Sequence, residues 1–277
     1  MHAILKYPGA KWRLAQWIIS FLPPHESYLE PYFGSGAVFF NKPKSRIETI
    51  NDIDGEVYNF FLICRNYPDE LCEALALTPW SRQERNAAYD PLPGGNWHKG
   101  EIERARRFAV RCWQTFGASP LKSNGWRYTT AKHSNGGPDN PKLWARMPQC
   151  IRDASIRLLE AQIENAPAVE VIKRCNGKNV LIYADPPYLR STRTAHSDAY
   201  HYEMTDSDHE ELLQALMEHT GMVVLSGYDS ELYNNTLGGW HKEVVETTAE
   251  QSVRRIECLW INPVAMELLP AGLSLEF

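Results

Sequence analysis

The sequence predicts an α/β protein: an open sheet whose strands alternate with helices, interrupted by a helical insert. Three observations lead there. Short apolar runs recur toward both ends of the chain, most clearly residues 180–184 (Val-Leu-Ile-Tyr-Ala) and 222–225 (Met-Val-Val-Leu), as expected of strands buried on both faces. Stretches with apolar residues at helical spacing lie between such runs. Residues 66–157 lose this alternation and mix Trp, Arg and Gly. The predicted organisation is one sheet domain from 1–65 and 158–277, with 66–157 inserted into it.

Each element has its own warrant. Residues 26–31 (Glu-Ser-Tyr-Leu-Glu-Pro) read as a short strand ending at an acid, followed by a Gly34-Ser35-Gly36 turn and a helix starting at Ala37-Val38-Phe39-Phe40. Residues 47–51 form a second strand, ending at Asp52. A helix from about 55 to 66 places Val57, Phe60, Phe61 and Cys64 on one face. In the insert, 68–77 and 101–115 are helical, and the Gly/Pro-rich 90–95 and 134–138 are turns. Then come a strand at 160–164, a helix at 167–174 and the buried strand 180–184. The helix 206–219 is capped by Thr205 or Asp206, with acids in its first turn. After the strand 222–227, closing strands at 241–247 and 257–262 flank a basic stretch around Arg254-Arg255.

Composition narrows the function. A chain of 277 residues with 43% hydrophobic content builds one sizeable core or a core plus a smaller module. No apolar run reaches membrane-spanning length, and the first residues lack the apolar region of a signal peptide. The six cysteines contain no CxxC pair, so scattered buried thiols in a reducing cytoplasm are expected, rather than disulfides or structural zinc. The net charge of −5 argues against a nucleic-acid binder. Its distribution argues otherwise: residues 99–157 hold twelve Lys/Arg against four acids, a local +8. That is either a contact for a polyanion or a solvated helix face.

The tetrapeptide Asp185-Pro186-Pro187-Tyr188 follows the buried strand 180–184. Ligands of open α/β sheets bind outside the carboxyl ends of strands. Two prolines after the acid fix the backbone and leave carbonyls without competing N–H groups. Such a set holds an exocyclic amine: one N–H to Asp185, one to the Pro186 carbonyl, and the base stacked on Tyr188. Glu30-Pro31-Tyr32-Phe33-Gly34-Ser35-Gly36 is a glycine loop where a ligand approaches the backbone closely, without the lysine of a P-loop or a third dinucleotide glycine. Asp52 ends the next strand, where an acid holds ribose hydroxyls, though it serves equally well as a helix cap. Lys11 closes a loop, Tyr7-Pro8-Gly9-Ala10, just before a helix. His196, His201 and His209 have no metal-ligand spacing and read as solvated or facing the polyanion. Trp80, Trp97, Trp113, Trp126 and Trp144 read mostly as core.

Together these pieces resemble the Dam-like (D12-class) adenine-N6 DNA methyltransferases, often encoded by phages and prophages. Tyr7 to Lys11 looks like that family's aromatic–x–Gly–Gly–Lys loop, with Ala10 in place of the second glycine. Glu30 to Gly36 looks like its cofactor loop, Asn51-Asp52 like its Asn-Asp element, and 185–188 is its catalytic Asp-Pro-Pro-Tyr intact. Ser191-Thr192-Arg193, Asp208-His209, Leu225-Ser226-Gly227-Tyr228 and Trp260-Ile261-Asn262-Pro263 are further landmarks. The resemblance implies a Rossmann-like methyltransferase sheet binding S-adenosylmethionine (AdoMet), with the insert as target-recognition domain. It implies AdoMet held by Tyr7, Lys11, Glu30, Pro31, Phe33, Gly34, Ser35, Gly36, Asp52, Ile53 and Asp185. It implies catalysis by Asp185, Pro186, Pro187 and Tyr188 on a flipped adenine. It also implies a monomer without metal, acting on double-stranded DNA. Arg104, Arg107, Arg111, Lys122 and Arg127 in the insert, with Arg190 and Arg193, are the expected DNA contacts. One departure stands out: Pro167-Ala168 occupies the position of the family's Asp-Phe, so the cofactor adenine falls to backbone groups, Ile53 or Glu164.

Rival readings fit less well. RNA guanine-N2 methyltransferases share Asp-Pro-Pro-Phe/Tyr but have a short gap before it, where this chain carries a long basic insert. A protein-glutamine enzyme has Asn in place of Asp185. A cytosine-C5 enzyme needs a Pro-Cys nucleophile, which is missing. A catalytically idle DNA-binding relative is argued against by intact Asp185 and Tyr188.

Overall fold

The structure, a computed structural model, describes residues 2–92, 97–116, 125–128, 139–193, 200–248 and 254–270. Its centre is a seven-stranded sheet in the order β3-β2-β1-β4-β5-β7-β6. The strands are β1 (Ser27–Glu30), β2 (Ile47–Asn51), β3 (Ala161–Glu164), β4 (Val180–Ala184), β5 (Met222–Tyr228), β6 (His241–Thr248) and β7 (Arg254–Ile261). β1 to β5 pair in parallel, and β7 lies antiparallel between β5 and β6. This is the Rossmann-like methyltransferase sheet that the sequence implies.

Side-chain alternation divides the core in two. Tyr28, Leu181, Tyr183, Met222, Val224, Leu259 and Ile261 face one apolar cluster. Leu29, Ile182, Ala184, Val223, Leu225, Cys258 and Trp260 face the other. The period of two along each strand puts both faces against helices, which is why these strands read as unbroken apolar runs. The first cluster holds α1 (Ala15–Ser20) and α2 (Gly55–Asn66); the second holds α8 (Ala168–Arg174), α9 (Asp206–Met217) and α10 (Glu231–Thr236). A short α11 (Pro263–Leu268) follows β7, capped by the Asn262 side chain. Thr205 caps α9 through a reciprocal capping box with Asp208, as its sequence predicts.

Between α2 and β3 the chain forms α3 (Pro68–Ala76), α4 (Arg82–Ala87), α5 (Trp97–Gln114), α6 (Asn140–Trp144) and α7 (Met147–Leu158). Their apolar faces, including Leu71, Phe108, Trp113, Trp144 and Met147, join the cluster that contains Phe60 and Phe61 of α2. Trp113 and Trp144 are buried, in line with a core reading of the tryptophans. Described cysteines are free thiols, five of them buried.

One predicted element is corrected. Residues 37–40 form turns, not the start of a helix. Gly36 has φ +66°, and Phe33, Phe39, Phe40 and Phe61 interlock edge-to-face around it. Burying three closely spaced phenylalanines in one aromatic knot outweighs the local helical preference.

Candidate active site

The carboxyl ends of β1, β2, β3 and β4 converge at the point where strand order reverses, between β1 and β4. Open α/β sheets bind ligands at such a switch point. A cavity of about 290 Å³ opens there. Of the predicted residues, Tyr7, Lys11, Glu30, Pro31, Phe33, Gly34, Ser35, Asp52, Ile53, Asp185 and Pro187 line it. Gly36, Pro186 and Tyr188 are not among its lining residues. Gly36 instead shapes the wall from behind, since a Cβ there would meet the Phe33 ring at 2.5 Å.

Asn51, 1% exposed, stitches the strand ends together. Its amide donates to the carbonyls of Pro31 and Ala166, and its Oδ1 accepts from the Ala166 N–H. Asp52 accepts from the Gly34 N–H at 2.8 Å and from Asp54 N–H at 2.9 Å. The cap of α2 is Asp54, so Asp52 anchors the glycine loop and faces the cavity rather than capping the helix. Ser35 is fixed by the Trp12 indole N–H, and the Tyr7 hydroxyl donates to Asp54. Pro167, Ala168, Val169 and Ile53 supply apolar cavity wall, while Glu164 pairs with Arg174.

Charge in the cavity is lopsided. Lys11 lies 3.0 Å from Asp185 Oδ1, 3.1 Å from Glu257 Oε1, and donates to the Gly9 carbonyl. Its ammonium also sits 4.7 Å above the Tyr188 ring. Burial opposes its charge, but the two carboxylates hold its pKa well above the usual lysine range. Burial raises the Asp185 carboxyl, with Glu257 adding to the rise and Lys11 opposing it. Burial also pushes Glu30 up to about 8 and Asp52 up to about 7. Among the described residues that line it, the site therefore gathers carboxylates in excess of its one lysine.

Tyr188 is 8% exposed; its hydroxyl donates to Glu257 and its ring edge meets Tyr228. Glu257 escaped the sequence reading. A lone acid inside Ile256-Glu257-Cys258-Leu259-Trp260-Ile261 was the available signal, because a buried carboxylate in an apolar strand needs partners.

The structure gives several of the predicted DNA contacts acidic or carbonyl partners within the protein. Arg104 pairs with Glu56 and Glu101, Arg107 with Glu103 and the Asp90 carbonyl, and Arg111 with Glu56 and the Ala88 carbonyl. These guanidiniums tie α5 to α2 and to the chain around 88–90, so their charge is met internally. Arg193, 11% exposed, pairs with Glu203 and donates to the Tyr188 carbonyl. It braces the 185–188 loop. Arg190 is exposed on a 3₁₀ turn, Arg190–Thr192. Arg127 lies in a described strip where Trp126 and Tyr128 stack, with Arg82 over both rings. Lys122 and His196 lie outside the described residues. His209 is not solvated: it is buried on α9 against the Tyr233 hydroxyl, and burial lowers its pKa to about 4. His201, half exposed, lies 3.5 Å from Asp54. No cluster of metal ligands occurs among the described residues, and no described helix is long and apolar enough to cross a membrane.

Comparison with known proteins bears directly on this site. The family model described as "D12 class N6 adenine-specific DNA methyltransferase" matches residues 7–252. The type II methyltransferase M1.LlaDCHI of Lactococcus lactis subsp. cremoris is 25% identical over 206 residues, 72% of this chain and 69% of that protein. The DNA adenine methylase of Escherichia coli K12 is 25% identical over 251 residues, covering 83% and 82%. That of Salmonella typhi is 24% identical over 241 residues, covering 83% and 82%.

Proposed function

Because the chain belongs to the D12 class of N6 adenine-specific DNA methyltransferases, we propose that it methylates the N6 amine of an adenine flipped out of duplex DNA, at a specific sequence, using AdoMet. The observation that carries this reading is Asp185: a carboxylate at the end of a buried strand, on the cavity wall, its Oδ1 held 3.0 Å from the Lys11 ammonium.

The cavity suits AdoMet in its chemistry. Glu30, Asp52 and Asp185 complement a ligand bearing an ammonium and a sulfonium, and Ile53, Pro167, Ala168 and Val169 offer an apolar wall to its adenine. When bound, AdoMet supplies an electrophilic methyl group. The protein's own residues do the rest. Lys11 orients Asp185. Asp185 and the Pro186 carbonyl accept the two N–H groups of the target amine, which localises its lone pair for in-line attack. Pro187 stiffens this loop, and Tyr188 presents the ring against which the base stacks, an interaction worth roughly 1–3 kcal/mol. Asp185, its pKa raised by burial, takes the proton that the methylated amine sheds. Base flipping costs a few kcal/mol, offset by these contacts. We assign DNA contact to Arg190, beside the catalytic loop, and to Arg127 and Lys122 of the insert, with the enzyme acting as a monomer.

The test is incubation with radiolabelled AdoMet and unmethylated duplex DNA, followed by digestion to nucleosides. Label in N6-methyl-2′-deoxyadenosine is expected. No label in DNA, with label in parallel incubations with RNA or protein, overturns the reading.

A further inference from the structure

We propose that Glu257, on the antiparallel strand β7, is a positioning residue for methyl transfer: its carboxylate holds the Tyr188 hydroxyl and the Lys11 ammonium together, fixing the ring and the acid of the catalytic loop in one unit. This rests on the reading above and deepens it. Glu257 lies beyond the residues 7–252 that the family model matches.

The topology explains how an acid so late in the chain reaches this site. β7 runs against its neighbours, so its first half lies at the carboxyl edge of the parallel strands. Glu257 pairs in register with Tyr228, beyond the Ala184–Leu225 pairing that ends β4. It shares a sheet face with Leu259 and Ile261, and it is 4% exposed. Its Oε1 accepts from the Tyr188 hydroxyl and lies 3.1 Å from Lys11 Nζ. Lys11 in turn is 3.0 Å from Asp185 and stands over the Tyr188 ring. The chain Asp185–Lys11–Glu257–Tyr188 is thus a closed ring of contacts returning to the same tetrapeptide. Buried carboxylates persist where they are paired and hydrogen-bonded, and fixing reacting groups in place is itself catalytic. Glu257 has no lining position in the cavity; it acts through Lys11 and Tyr188.

The experiment compares the full-length protein with Glu257→Gln, Glu257→Asp, Tyr188→Phe and the Glu257→Gln/Tyr188→Phe pair. Gln keeps an acceptor for the hydroxyl but removes the charge. Glu257→Gln is expected to lower kcat on the order of 10- to 100-fold, with KM for AdoMet and for DNA changed by less than about 3-fold. The pair is expected to lose no more than its worse single variant, since both disrupt one unit. The acid limb of the pH–rate profile is expected to move to lower pH in Glu257→Gln. Asp185 there faces Lys11, Glu257, Glu30, Tyr188 and Tyr200, and removing one negative neighbour eases its ionisation. Wild-type kcat in Glu257→Gln, a lowered kcat with an unmoved limb, or a pair whose loss is the product of its singles overturns the proposal. Should Glu257→Gln not fold, Glu257→Asp decides: it keeps the charge but withdraws it by one methylene, and wild-type kcat in it counts against the proposal. Coupling between Glu257 and Tyr188 is read independently from thermal melts, without ligand, of the wild type, Glu257→Gln, Tyr188→Phe and their pair. It is expected even if the wild type methylates nothing, an outcome that removes the proposed function alone.

Discussion

The cavity at the sheet edge and the seam between α5 and α2 use charge in opposite ways. In the seam, Arg104 and Arg111 share Glu56 while Arg106 and Arg107 share Glu103, so the positive charge conspicuous in sequence is answered within the protein. On the described cavity wall, Glu30, Asp52 and Asp185 accompany a single lysine, Lys11, which Asp185 and Glu257 hold, and burial pushes the Glu30 and Asp52 carboxyls toward neutral pH. Matched charge builds a scaffold; mismatched charge waits for a ligand. The excess of acid at the site is what the proposed function asks of a pocket for a cationic methyl donor.

The largest test of this contrast is Asp185→Ala. Methyl transfer is expected to fall at least about 10³-fold, while DNA affinity, measured by fluorescence anisotropy, changes less than about 3-fold. Retained turnover breaks the assignment of the acid. Next is Gly36→Ala. With φ +66° and a Cβ at 2.5 Å from Phe33 and 2.6 Å from Phe40, it is expected to cost about 1–3 kcal/mol in chemical denaturation, and to weaken AdoMet binding through the loop.

The third test is pH. Glu30 and Asp52 have folded pKa values raised to about 8 and about 7. Their contribution to the stability of the ligand-free protein is fully present below the unfolded carboxyl pKa and is lost as pH rises through these values. A cationic ligand reverses the preference, so AdoMet affinity is expected to rise between pH 6 and 8 by up to roughly tenfold per pH unit for each proton released. Calorimetry in buffers of different ionisation enthalpy checks that release; no proton release removes the electrostatic account of the cavity. The smallest effect is Glu56→Gln, which unpairs the seam. Partly exposed pairs of this kind are worth about 1 kcal/mol or less each, so a small fall in melting temperature with unchanged kcat is expected. A large loss of kcat would place the seam in the active machinery.

How much of this was legible in sequence follows from range. α2, β4 and the Thr205 cap rest on local patterns and lie where the sequence puts them. The tetrapeptide at 185–188 carries its chemistry in four consecutive residues and is equally plain. The helix expected at 37–40 fails because Phe33 of the glycine loop and Phe61, from a separate element, recruit Phe39 and Phe40. Arg104 and Arg111 look available for DNA because their partner Glu56 lies 48 and 55 residues away. Glu257 is silent for the same reason: its partners stand 69 residues before it, at Tyr188, and in the opening loop, at Lys11. Charge is visible in a sequence, but its neutralisation is a property of topology.

The placement of β7 bears on the order in which the protein is made. Domains tend to fold as they emerge from the ribosome, and β1 to β5 are complete by residue 228. Yet the strand that pairs with β5 is β7, which starts at residue 254 and must slot between two earlier strands. Until it does, β5 is an open edge and Lys11 and Tyr188 lack their shared carboxylate. A nascent chain can thus fold its glycine loop and the 185–188 tetrapeptide early, while the finished arrangement of that tetrapeptide is withheld until β7 has been translated.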